Sequence, residues 1–182
     1  MSSDRHHLLR VYVRDHHAAS AAGLALARRS ANNNKDTEFE PALLELADGI
    51  ADDQQSLEDV MAWLAVSPSS VRLMAARAGE LVARLKANGR FVEYSPSSRV
   101  VELEALTAGV SAKRQLWRTL RPIAAHDSTF ADPVTLSELV AREDTATAQL
   151  ESIFAMHARA VELAFVESST GTGSHGRSDG AP

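Results

Sequence analysis

The chain has 182 residues, 45% of them hydrophobic and 24% charged, which is enough apolar material for one globular domain with a sizeable core and too much for a disordered chain. The absence of cysteine excludes a disulfide framework, a thiolate zinc site and a thiol nucleophile, and the net charge of -5 argues against nucleic acid as the main partner. No run of eighteen apolar residues spans a membrane, and Met1 to His7 lacks the apolar stretch of a secretory signal, so a cytoplasmic protein is expected.

Almost every periodic segment repeats at three and four residues, the spacing that lines up one face of a helix. A first helix is expected from about Asp4 to Arg29, with Leu8/Leu9, Tyr12, Ala19, Ala22/Gly23 and Leu26 on one stripe. Asn32 to Asp36 then interrupts the pattern with turn-forming residues. A second helix starts near Pro41, because proline in the first turn lacks only an N–H that has no partner there anyway. Its stripe is Leu43, Leu46, Ile50, Leu57, Val60 and Leu64. A third runs from the Ser67-Pro68 start signal to Asn88-Gly89, and carries Val71, Met74, Ala78, Leu81 and Leu85. The fourth begins at Ser95-Pro96 and continues through Leu103, Leu106, Val110, Trp117 and Leu120 to about Ala125, with Pro122 expected to kink or fray its end. The fifth begins near Asp132-Pro133 or at the capping box Thr135-Leu136-Ser137-Glu138 and reaches about Val166.

These elements predict an all-α fold, an antiparallel bundle of five long helices in a single domain over residues 1–167, followed by a Gly/Ser-rich disordered tail over 168–182. Charge alternates along the chain. Residues 1–35 hold six bases and two acids, residues 36–65 nine acids and no base, residues 66–121 ten bases and four acids, and residues 122–182 three bases and nine acids. Acidic helices beside basic ones favour particular neighbours, by a few tenths of a kcal/mol (~0.2–1) for each exposed pair. The basic third and fourth helices lack the interleaved aromatics of a single-strand binder.

The informative residues are polar ones that interrupt apolar stripes. Asp53 lies in the seam of the second helix and Lys113 in that of the fourth. Asp15, or His16 in the adjacent register, interrupts the first, and Glu143 and His157 interrupt the fifth, whose stripe otherwise reads Leu139, Ala146, Leu150, Phe154 (or Ile153) and Val161. Asp15, Asp53 and Lys113 fall near the middle of their helices, where antiparallel neighbours meet at one height. A buried carboxylate or ammonium without a partner costs several kcal/mol. The pattern therefore predicts a central polar cluster of Asp15, His16, Asp53, Glu102, Lys113 and His157, with Lys113 set against both aspartates. Such a network fixes helix register, or it builds a ligand or metal site. The small-residue run Ala18 to Gly23 is expected to admit a neighbouring helix closely, although it would equally leave room for a ligand.

Specific chemistry has little support. Di-metal bundles place Glu-x-x-His on two helices, and that motif occurs nowhere in the chain. Lys113 supplies a positive charge where a metal ion would otherwise balance the carboxylates, so no cofactor is predicted, and at most one weakly bound metal ion stays open. No phosphate loop, dinucleotide turn, nucleophile elbow or His-Glu-x-x-His is present, and no catalytic residue is assigned. His6-His7 and His16-His17 are adjacent pairs that point about 100° apart on a helix and cannot share one ion. Trp63 and Trp117 read as packing residues.

Three stretches, Tyr12 to Gly23, Gln55 to Met61 and Ser95 to Glu104 with its continuation Lys113 to Arg118, resemble a family of small Ala/Arg-rich helical proteins from actinobacteria. That family is uncharacterised, and its bundle is similar to the ferritin-like architecture. The resemblance covers about residues 5–165. It implies the fold and a bacterial cytoplasmic setting, and brings no activity or functional residues with it.

Two functional expectations follow. The favoured one is a non-enzymatic bundle acting through a protein partner or self-association, with a purely structural polar cluster. The other is a ferritin-like bundle that binds a metal ion or small molecule at that cluster, which predicts a cavity beside it and perturbed titration of its members.

Overall fold

The computed structural model describes residues 3–66, 94–127, 130 and 134–167. Within them every regular element is helical: α1 (Ser3–Asn33), α2 (Glu40–Trp63), α3 (Pro96–His126) and α4 (Leu136–Val161), the last continued by one π-helical turn, Glu162–Val166. No strand occurs among the described residues. The expected helix over Ser67 to Gly89 and the expected tail over 168–182 lie outside the described residues, so the described bundle has four long helices rather than five.

The helix starts follow the local chemistry of the chain. Ser95 caps α3 by accepting from Ser98 N at 3.2 Å, and the Ser98 hydroxyl accepts in turn from Ser95 N. Thr135 and Glu138 form the same reciprocal box at α4, which satisfies backbone donors that have no partner inside the helix. Pro122 does not end α3: the helix continues to His126, whose Nδ1 lies 2.7 Å from Pro122 O. A proline this near the C-terminus removes one backbone bond and leaves the packed face intact.

Interhelical contacts fix the directions. Arg10 Nε donates to Leu64 O at 2.6 Å and His17 meets Glu58, so α1 and α2 are antiparallel. Lys113 meets Gln149 and Arg121 meets Glu143, so α3 and α4 are antiparallel as well. Tyr12 with Thr119 and Ser30 with Glu102 set α1 antiparallel to α3, while Asp53 with Arg142 and the backbone of Gly49 beside Gln149 set α2 against α4. The four helices therefore surround a common axis, with α2 and α3 on one diagonal pointing the same way. α2 ends and α3 begins at opposite ends of the bundle.

The apolar interior falls into two lobes. One is built from Ala27 and Ala31 of α1, Leu43 to Ile50 of α2, Val100 to Val110 of α3 and Ala146 to Ala160 of α4. The other is built from Leu9, Val13, Leu57 to Leu64, Leu116 to Ala124, Phe130, Val134 and Leu139. Full burial of each large aliphatic side chain contributes about 1.5–3 kcal/mol. Where the lobes meet, the helices present charged side chains.

Candidate functional site

Asp53 is the centre of that charged layer. It sits on the buried stripe of α2 between Ile50 and Leu57, with 3% of its side chain exposed. Both carboxylate oxygens are engaged: Lys113 Nζ of α3 lies 2.5 Å from Oδ2, and Arg142 Nη1 of α4 donates to Oδ1 at 2.8 Å. Lys113 also donates to Gln149 Oε1 of α4 at 2.5 Å. Gln149 reaches this position because residue 49 has no side chain, and a Cβ there would collide with its carboxamide nitrogen. Burial pushes the Lys113 ammonium below the usual lysine range, Asp53 opposes that shift, and the nearby Arg142 guanidinium adds to it.

Beside this layer lies a cavity of about 80 Å³ between α1 and α3, with part of α2 as its floor. Asp53, Lys113, His16 and Ser20 are its polar lining, and the remaining walls are apolar, with Ile50, Leu57, Leu106, Val110, Leu116 and Trp117 the largest contributors. The mouth is formed by small residues: Ala19, Ala105, Gly109 and Ala112 line the cavity and are exposed. A Cβ added at Gly23 or Gly109 would meet nothing within 4 Å. At Gly23 the small-residue run of α1 faces open space rather than a closely packed neighbour, contrary to the close packing expected of Ala18 to Gly23.

The predicted residues are only partly brought together. Asp53 and Lys113 pair directly and His16 lines the same cavity. His16 is half-buried, its ring set edge-on against Tyr12 at 4.6 Å. Burial lowers its pKa from the ordinary 6.5, and the neighbouring Asp15 carboxylate opposes the shift. Asp15 itself is exposed and takes no part in the layer. The reason is register: the buried stripe of α1 begins Leu9, Val13, His17, whereas the expected one ran Leu8/Leu9, Tyr12 and Asp15 (or His16), and Leu8 is 67% exposed. His17 is therefore the buried histidine, with its Nε2 3.0 Å from Glu58 Oε1.

Glu102 is buried, but in a different place. It lies eleven residues before Lys113 on α3, about 16 Å along the axis at 1.5 Å per residue. Ser30 Oγ and Tyr94 Oη donate to its Oε2 at 2.8 and 3.2 Å, and Arg29 Nη2 lies 3.1 Å from Oε1. Asn34 joins this cluster by donating to Tyr94 Oη and to Ser30 O, both at 2.7 Å, and accepts from Arg99. Burial raises the Tyr94 hydroxyl pKa above 10.0. His157 belongs to neither cluster: its Nε2 meets the exposed Glu104 at 3.4 Å on the outside of the α3–α4 pair. Glu143 is held by Arg118 and Arg121 at 3.3 and 2.6 Å.

Two members of the layer, Arg142 and Gln149, carry a signal that the predicted stripe of the fifth helix passed over. Leu139, Arg142, Ala146, Gln149/Leu150, Ile153, Met156 and Ala160 also follow the three-four rhythm, and their apolar members are the buried ones. The predicted stripe slid one position onto Glu143, Phe154 and His157, with Ile153 only as the alternative to Phe154, which is 56% exposed.

The donor set does not suit a metal ion. Lys113 and Arg142 occupy the carboxylate of Asp53, and no group of three or more His, Asp or Glu able to hold a metal occurs among the described residues. The arrangement can instead present a buried ammonium to a small molecule in an apolar enclosure. No protein-family profile, curated protein or solved structure matches the chain.

Proposed function

We propose that the chain is a ferritin-like bundle that binds a small molecule in the cavity between α1 and α3. The observation that carries this reading is the cavity itself, which opens between small residues onto an ion-paired lysine and otherwise apolar walls. Concave, mostly apolar sites with a few convergent polar groups and shifted titration are where proteins hold small ligands. The helix directions support the ferritin-like connectivity, in which one long connection joins the second and third bundle helices. Here residues 64–95 lie between two helices that point the same way.

The test is amide NMR of the full chain against a collection of small fragments. Shifts focused on Ala19, Gly23, Ala105 and Gly109, and lost in Gly109→Leu, are expected. Fragments that shift no resonance at the cavity, or shift it equally in Gly109→Leu, would remove the reading.

Contact with a protein partner or a second copy, the favoured expectation from sequence, rests on a separate observation. Phe154, Phe165 and Val166, towards the end of α4 and in its π-helical turn, are 56%, 59% and 56% exposed. Sedimentation of wild type and of a Phe154→Asp/Phe165→Asp double variant discriminates. A larger wild-type species that the double variant loses favours association through this end.

A further inference from the structure

Resting on the cavity as a binding site, we infer that its ligand is a small monocarboxylate on an apolar frame, with the carboxylate received by Lys113. The first argument is charge. The central layer holds two cations, Lys113 and Arg142, against the single carboxylate of Asp53. The neighbouring Glu143 does not make up the difference, since Arg118 and Arg121 engage it. Glu58 is turned to His17, and Asp15 is exposed. No acid other than Asp53 lines the cavity among the described residues. Arg142 keeps 29% of its side chain in water while Lys113 keeps only 11%, so the uncompensated charge falls on Lys113, and a desolvated ion needs an opposite charge to compensate for the water it has lost.

The second argument is proton counting. An ammonium carries three N–H donors. Gln149 Oε1 accepts one of those of Lys113, Asp53 Oδ2 is its ion-pair partner at 2.5 Å, and no further acceptor for the ammonium occurs among the described residues. Lys113 lines the cavity, so a carboxylate oxygen arriving there supplies the missing acceptor and the missing negative charge in one step. The indole N–H of Trp117, a lining residue, is likewise buried without a hydrogen-bond partner, so the unused donors and the excess charge match the two oxygens and single charge of a carboxylate. A dianion such as a phosphate monoester would exceed both.

The third argument is size and surface. A volume of about 80 Å³, at roughly 10–15 Å³ per water centre, holds on the order of five to eight waters. That suits a benzoate or a six-carbon fatty acid better than a nucleotide or a sugar phosphate. Ile50, Leu57, Leu106, Val110, Leu116 and Trp117 surround such a hydrocarbon frame with apolar atoms. Ser20, the hydroxyl on the α1 wall, already donates its proton to His17 O at 2.8 Å, so it does not compete with Lys113 for the anion.

The experiment is calorimetric titration of the full chain with benzoate and hexanoate, and with their uncharged counterparts benzamide and hexanol. A charge-assisted hydrogen bond in a desolvated site is worth about 1.5–3 kcal/mol, so the carboxylates should bind about 10–100 times more tightly than the neutral compounds. Lys113→Met should erase that preference, and Gly109→Leu, which blocks the mouth without removing a charge, should abolish binding of all four. If Lys113→Met fails to fold, the wild-type comparison and Gly109→Leu decide the matter between them. Equal affinity for carboxylates and neutral counterparts, lost in Gly109→Leu, overturns the monocarboxylate assignment and leaves the cavity as a site. Binding of none of the four compounds, or carboxylate binding that Gly109→Leu leaves intact, overturns the assignment together with the cavity reading.

Discussion

Among the described residues two carboxylates are buried, and they are satisfied in opposite ways. Asp53, at the middle, is met only by cations, one from each helix of the α3–α4 pair. Glu102, towards the end where α1 finishes and α3 begins, is met by two hydroxyls and by Arg29, whose side chain is 36% exposed. Around Glu102 the other groups are also committed. Arg99 donates to Asn34 and lies over the Phe39 ring at 4.3 Å, and the Asn34 carboxamide bridges helix end and tyrosine. Around Asp53 one ammonium donor stays uncommitted and a cavity adjoins it. Neutral donors spread a carboxylate's charge without adding any of their own. Cations neutralise it and leave a remainder, so the donors around Glu102 are all taken up while the Asp53 layer keeps unmatched positive charge.

Substitutions at each centre test that contrast. The largest effect is expected from Asp53→Ala, which strands Lys113, 11% exposed, in the interior and takes from Arg142 its buried partner. Removing one member of a buried pair costs about 3–5 kcal/mol, readable as a lowered urea midpoint. Glu102→Ala should cost less, about 1.5–3 kcal/mol, because its partners are mostly neutral and Arg29 can turn to water. Equal losses in the two variants would erase the distinction drawn between the clusters.

Gly49→Ala sharpens the contrast from the other side. It pushes the Gln149 carboxamide away from α2 and so takes an acceptor from Lys113 without touching a charge. A loss of about 0.5–1.5 kcal/mol is expected, the net worth of one hydrogen bond, reduced by the better helix propensity of alanine. No loss at all would mean that Gln149 is dispensable to the layer.

The smallest expected effect is on pH dependence. The pKa of His16 is lowered by burial, so as pH falls below the ordinary 6.5 the unfolded chain takes up a proton that the folded chain still refuses. Stability from this residue is therefore full above that pH and declines as pH drops towards the folded value. Urea melts at successive pH values from 7.5 to 5 should show a shallower decline in His16→Gln than in wild type. Identical slopes would mean that the His16 ring is solvated in the folded chain.

The fold was legible wherever a stripe was made of large residues. Leu43 to Leu64 in α2 and Leu103 to Leu120 in α3 allow only one register, and Asp53 and Lys113 were found as interruptions of it. α1 is different. Its centre is a run of alanine, serine and glycine, in which a one-position shift exchanges small residues for small residues, and neither choice is penalised by burial. Asp15 was drawn into the core on that ambiguity and His17 was left out. In α4, Phe154 beside Ile153 made the wrong stripe look as apolar as the right one, and Arg142 was lost with the slip. Glu102 and His157 were placed at the centre by residue type, not by height along the axis. The cavity was the least legible feature. Small residues permit both close approach and empty space, and only the spacing of the helices decides between them.

The distribution of charge across the layer bears on how the molecule assembles. α1 with α2, and α3 with α4, are antiparallel hairpins closed by short connections, so most of their contacts are local and form early. Joining the hairpins means closing the longer connection between α2 and α3, whose entropic cost grows only with the logarithm of its length. Asp53 belongs to the first hairpin, while Lys113 and Arg142 belong to the second. Neither hairpin can neutralise its own share of the centre, so the three charges are matched only across the seam between the two hairpins.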